Sequence, residues 1–363
     1  MKILPALRLK RFWLLLLLPA AVLLDTAAKH SPDFAEWYAV RVYPLYAKPF
    51  SWLTSLVPFS LGEFLLAAGI LWLLFFLIRN IFRLVRMKER RLERLVRFLS
   101  VPLLIAVVIT FLCVTNYGTN HRRYSFAAAA GLEVRASSTE ELYDLCVLLT
   151  EQANALREGL PEDERGVFTL AAGNFAAADT ARTQFGQLSG TYPTLSTWGK
   201  PKPVLASEVM SYLDISGIYC PFTFEANVNV HAEDALIPAT MCHELSHLAG
   251  YMREDEANFI AYLACEAGDD PAFRYSGVLF GMIHATNALF GADRDLWYEV
   301  DALRSDAVLR DLAANNAYWK TYDTPVAEVS NNVNDAYLKA NGQEAGVRSY
   351  GRMVDLLLAY YRN

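Results

Sequence analysis

The chain has 363 residues, 54% of them hydrophobic, and a net charge of −6. That length allows about two domains. A nucleic-acid-binding stripe is excluded: the one basic run, residues 79–97 with eight Lys or Arg against two Glu, lies between two apolar segments.

Apolar runs dominate the first third. Phe12 to about Ala28 follows Lys2, Arg8, Lys10 and Arg11. It reads as a membrane-spanning helix or as a signal peptide, and the further spans favour the helix. Residues 31–59 carry Trp37, Tyr38, Tyr43, Tyr46, Phe50, Trp52 and Phe59. They form either a loop on the membrane surface with a short amphipathic helix, or a loop packed on the C-terminal part. A second span is expected over about 61–78, with Glu63 at its end, and a third over about 98–114.

The basic connector 79–97 reads as a cytoplasmic loop, since positive loops stay inside. The expectation is a multi-pass anchor in the cell membrane over 1–118, N-terminus cytoplasmic, and an extracytoplasmic domain over 119–363. The lipid bilayer is then a partner and nucleic acid is not.

No long apolar run follows residue 118. Ser138-x-x-Glu141 is a capping box opening a helix to about Leu160, and a second helix is expected from Phe175 to Leu188. Gly190 to Pro203 reads as a loop, and Ile215 to Val230 as β-like. Helices are expected over 237–250, 254–265, 275–290, 293–314, 325–339 and 347–361. The five cysteines show no C-x-x-C spacing, so they are buried thiols or, outside the cell, one or two disulfides.

The chemistry concentrates in His243-Glu244-Leu245-Ser246-His247. Residues four apart on a helix share a face, so two imidazoles can hold one Zn2+ while Glu244 takes a proton from water. Pro238 suits the start of this helix and Gly250 its end. A catalytic zinc needs three protein ligands and an open position. Glu254, Asp255 and Glu256 are the candidates for the third. Glu254 is preferred because Asn258, one turn later, can hold a ligating histidine's free N–H.

Cys242 points about 100° away around the helix and is a poor fourth ligand. Tyr275, His284, Tyr318 and Tyr350 are candidates for stabilising an oxyanion. The function expected is zinc-dependent hydrolysis of a peptide or protein substrate at the cell envelope. The rival is a non-catalytic, zinc-stabilised sensor or scaffold with a closed site.

His243-Glu-x-x-His247 with Glu254-x-x-Ala257-Asn258 resembles the gluzincin zinc peptidases, although only six residues separate His247 from Glu254. The resemblance implies His243, His247 and Glu254 as ligands, Glu244 as base and Asn258 as orienting residue. A metzincin pattern fails at Arg253, where a histidine is needed. The three spans, Gly217 to Asn227, His243 to Gly250, Arg253 to Phe259 and Gly346 to Gly351 together resemble the bacterial membrane family designated domain-of-unknown-function family 3810. That resemblance implies an α+β architecture: three transmembrane helices, then a mostly helical zincin-like domain with a small sheet.

Overall fold

The computed structural model describes residues 10–87, 91–340 and 352–362. Three helices are long and apolar enough to cross a membrane: Arg11–His30, Leu61–Arg86 and Arg91–Asn116. The second and third are 26 residues each. At 1.5 Å per residue that is about 39 Å, longer than a hydrocarbon core of about 30 Å.

The excess takes up the basic connector. Residues 79–97 were expected as a loop. The run contains no Gly or Pro to break it, so both helices continue through their Arg residues. The two helices meet where Arg94 donates to Asn80 Oδ1 at 3.3 Å and Phe76 stacks on Phe98.

The aromatic stretch is a helical strap rather than a loop. Pro32–Trp37 starts after an N-cap, Ser31, whose hydroxyl accepts from Phe34 N. A wider turn, Tyr38–Val42, leads into Tyr43–Thr54. Tyr43, Ala47, Ser51 and Thr54 recur at helical spacing and are buried against the C-terminal domain. The Tyr43 hydroxyl donates to Leu248 O at 3.1 Å, and Lys202 donates to the carbonyls of Thr54 and Val57. The strap is thus part of the domain's core.

Beyond the third span the chain is mostly helical with one three-stranded sheet, ordered β1-β3-β2. The strands are β1 (Pro201–Pro203), β2 (Gly217–Cys220) and β3 (Glu225–Val228). β3 is central, parallel to β1 and antiparallel to β2, with Gly217 opposite Val228. The β-like segment is therefore a hairpin. Pro221 ends the ladder and Phe224 turns the chain at φ +53, its ring held among Tyr43, Tyr46 and Phe50. β2 is an edge strand, and β1 lies in the stretch expected as loop.

The motif helix, Ile237–Leu248, packs on this sheet and on the glutamate helix, Glu254–Glu266. A long helix, Pro271–Ala292, closes the core behind both. Thr139–Arg157 carries the expected capping box, with Ser138 and Glu141 bonding each other's backbone. The helix expected over 293–314 is broken in two, Arg294–Asp301 and Asp306–Thr321, because Ser305 caps a new start. Pro325–Ala340 and Met353–Arg362 follow. Gly346 to Gly351, and with them Tyr350, lie outside the described residues.

Candidate metal centre

His243 and His247 project from one face of the motif helix, their rings 4.6 Å apart and nearly perpendicular. The helix ends at Gly250, whose φ of +93 no side chain adopts easily. Tyr251 N then bonds Ser246 O at 3.1 Å, reversing the chain. Two consequences follow from this one turn. The Tyr251 carbonyl comes back to His247 Nδ1 at 2.8 Å, and Glu254, the first residue of the next helix, is delivered beside both imidazoles.

A carbonyl only accepts, so His247 Nδ1 carries a proton and Nε2 is the nitrogen that can bind a metal once its own proton is displaced. Glu254 Oε2 lies 3.2 Å from His243 Nε2 and 3.7 Å from His247 Nε2. An ion with tetrahedral bonds of about 2.0–2.1 Å spaces its ligands about 3.3 Å apart, so the donors fit. The three ligand atoms lie within 4.8 Å of one another, and the group can hold a metal ion. Among the described residues no fourth His, Cys, Asp or Glu joins it.

The three groups act strongly on one another. Burial opposes charge on Glu254, but His247 and His243 outweigh it and hold the carboxyl well below its usual range. Burial likewise opposes charge on His247, yet Glu254 draws that imidazole up to about 9. Glu244 is buried on the same helix, and burial pushes it up to about 7 against the pull of His243 and His247. Its Oε2 has no hydrogen-bond partner among the described residues.

Glu244 occupies room left by Gly217 of β2. A β-carbon there would stand 2.4 Å from Glu244 Oε1. The edge strand thus lies directly on the carboxylate. A cavity of about 290 Å³ is lined by Ser216, which precedes Gly217, by Thr240, one turn before Glu244, and by Phe280 and Trp319.

These contacts sort the sequence candidates. Glu256 is engaged elsewhere, accepting from Phe126 N at 2.7 Å and from Arg253 at 2.5 Å, so Glu254 is the carboxylate of the group. Asn258 forms no bond to either imidazole; its Nδ2 has no partner among the described residues. The Tyr251 carbonyl takes the orienting role expected of Asn258, because the Gly250 turn brings backbone where the sequence suggested an amide. Tyr275 donates to Asp311 at 2.6 Å, and Tyr318 bonds Ser211 and His231, so neither belongs to the site. His284 stands on the site's side, its ring packed on Phe280 and its pKa lowered to about 4 by burial and then by His243. All five cysteines are free thiols, and Cys242 pairs with the Cys265 thiol, away from the ligands.

A model of DUF3810, a family of proteins of unknown function, matches residues 38–358. The chain belongs to this family. No curated protein and no solved structure matches it. The stretch matched by the DUF3810 model takes in the strap from Tyr38 onward, two spans and the whole metal group.

The DUF3810 chain also buries His121, which sequence reasoning missed, within electrostatic range of Glu254 and His247, outside the three-residue group. It sits in the short turn Gly118–Arg122, just beyond the third span. It is buried, neither ring nitrogen has a partner among the described residues, and its pKa is lowered to about 3. Burial is the main cause, with Glu254 and His247 close enough to act on it. Its only sequence signal was being one of six histidines.

Proposed function

We propose that the chain is a membrane-anchored zinc peptidase. The observation that carries this reading is the open three-donor group His243, His247 and Glu254 beside the buried, unpartnered carboxylate of Glu244. Structural zinc sites are closed by four protein ligands, whereas hydrolytic sites keep a position open, so three donors support catalysis over the scaffold reading.

When bound, zinc supplies Lewis acidity toward a carbonyl oxygen and makes nearby water more acidic. His243, His247 and Glu254 would hold it, with His247 fixed by Tyr251 O. Glu244 accepts the proton of the attacking water and returns it to the leaving amine. Its elevated pKa suits both directions of that transfer. The edge strand β2 limits the space over Glu244, and the adjoining cavity has room for a substrate side chain. The basic ends of the second and third spans, from Arg79 to Arg97, support a cytoplasmic location for that end and an extracytoplasmic site.

The test is metal content and peptide hydrolysis by the full-length chain, wild type against Glu244→Gln. The variant keeps stoichiometric zinc and loses at least about 100-fold in hydrolysis, within the range of general acid–base catalysis. Undiminished activity in the variant ends the proposed role of Glu244.

A further inference from the structure

The strap helix Tyr43–Thr54 is apolar on two opposite sides. One side, Tyr43, Ala47 and Ser51, is buried in the domain. On the other, Leu45, Trp52 and Leu53, with Leu56 in the turn just past the helix, have 50–75% of their surface exposed. Leu45, Trp52 and Leu53 share one side of the helix, and Leu56 extends the apolar surface toward the second span. A second exposed pair is Leu205 and Val209, beside the amide that bonds Glu63 of the second span.

Both patches are tied to the outer ends of the spans. The strap runs from the end of the first span, His30, to the start of the second, Leu61. Glu225 on β3 accepts from Leu61 N and Gly62 N at 3.0 and 2.8 Å. In return Glu63 of the second span accepts from Leu205 N and Ala206 N at 3.0 and 2.8 Å. At the third span, Asn116 donates to Pro221 O at 2.7 Å.

We propose that the domain lies flat on the bilayer through these two patches, and that its substrates are polypeptides held at that surface by a membrane anchor. The substrate half rests on the peptidase reading. The occupant is lipid because each patch is continuous with a membrane span. The substrate class follows from height. Gly217 touches Glu244, and Cys220, three residues along β2, lies against Gly62 at the start of the second span. Three extended residues cover roughly 10 Å. A headgroup layer is roughly 5–8 Å thick. On the other side of the site His121 follows the third span by five residues. The reaction centre therefore stands just above the headgroups, within reach of a chain emerging from the membrane.

The docking half is tested on the full-length chain in vesicles of phosphatidylethanolamine and phosphatidylglycerol, with Cys113 and Cys220 replaced by Ala. Single nitroxide labels are placed at Leu53, Val209 and, as the aqueous control, Glu164. Labels at Leu53 and Val209 collide more with oxygen than with an aqueous nickel chelate, and the label at Glu164 does the reverse. Free collision with nickel at Leu53 and Val209, or shielding from both reagents as between two protein copies, overturns the docking.

The substrate half compares one quenched fluorescent peptide, free and fused to a transmembrane anchor, in the same vesicles with zinc loaded. The anchored form is cleaved at least tenfold faster. Equal rates overturn the substrate class. Cleavage of neither overturns the peptidase reading, while the label depths still decide the docking.

Discussion

Gly217 of the edge strand lies on the carboxylate of Glu244, so close that a β-carbon would come within 2.4 Å of Oε1. Gly217→Ala therefore must displace either the strand or the base. A misplacement of about 1 Å costs roughly 100-fold in rate. The expected outcome is a fall of that order in hydrolysis with zinc content unchanged, because none of the three ligands is touched. Metal analysis beside a peptide assay checks it.

His121 leaves two ring nitrogens unpartnered in a buried position within electrostatic range of Glu254 and His247. Buried polar atoms need partners, and a water bridging the ring to the metal group would supply one. Groups that support ligands in this way typically contribute 10–100-fold to affinity. His121→Ala is expected to weaken zinc binding by about tenfold or more, read by chelator competition. Unchanged affinity would remove His121 from the metal's surroundings.

Asp311 anchors the far side of the domain. It is buried and takes Arg157 Nε at 2.7 Å, Tyr275 at 2.6 Å and Phe168 N at 2.8 Å. Asp311→Ala leaves the Arg157 guanidinium with only its peripheral partners, Glu162 and Gly166 O. Breaking such a buried pair costs about 3–5 kcal/mol. Denaturant unfolding of the full chain should show that loss.

Acid should loosen the docking of the C-terminal helix. Glu141 accepts from Ser138 N, Arg362 and Arg135, and these bonds hold its carboxyl down at about 2 against an ordinary 4.5. A depressed folded-state pKa contributes stability that is complete above pH 4.5 and disappears as pH falls toward 2. Melting curves of wild type and Glu141→Gln should differ at neutral pH and converge over that window.

The domain should not tolerate loss of its strap. Lys202 is buried with its ammonium on the carbonyls of Thr54 and Val57, and Phe224 is enclosed by Tyr43, Tyr46 and Phe50. A chain starting at residue 119 removes all of these partners and strands a buried charge. It should aggregate or melt well below the full-length protein; light scattering and thermal unfolding decide.

Much of this was legible in residue order. Apolar runs of bilayer length mark three spans, and the five-residue motif places two imidazoles and a carboxylate on one helix, because both signals depend only on local spacing. The capping box at Ser138 was legible for the same reason.

What the tertiary structure alone decided depends on contacts between distant segments. The sequence preferred Glu254 to Glu256 only through Asn258, which bonds neither imidazole; it is the Gly250 turn that brings Glu254 to the histidines and the Phe126 amide that holds Glu256 away. Tyr251 orients His247 with a backbone carbonyl, a group that every residue carries and no pattern reveals. Gly217, His121 and the strap reach the site across gaps of 27 residues or more in the chain. Spacing along a helix fixes which side chains share a face; which face another segment covers is settled only by the packing of the whole fold.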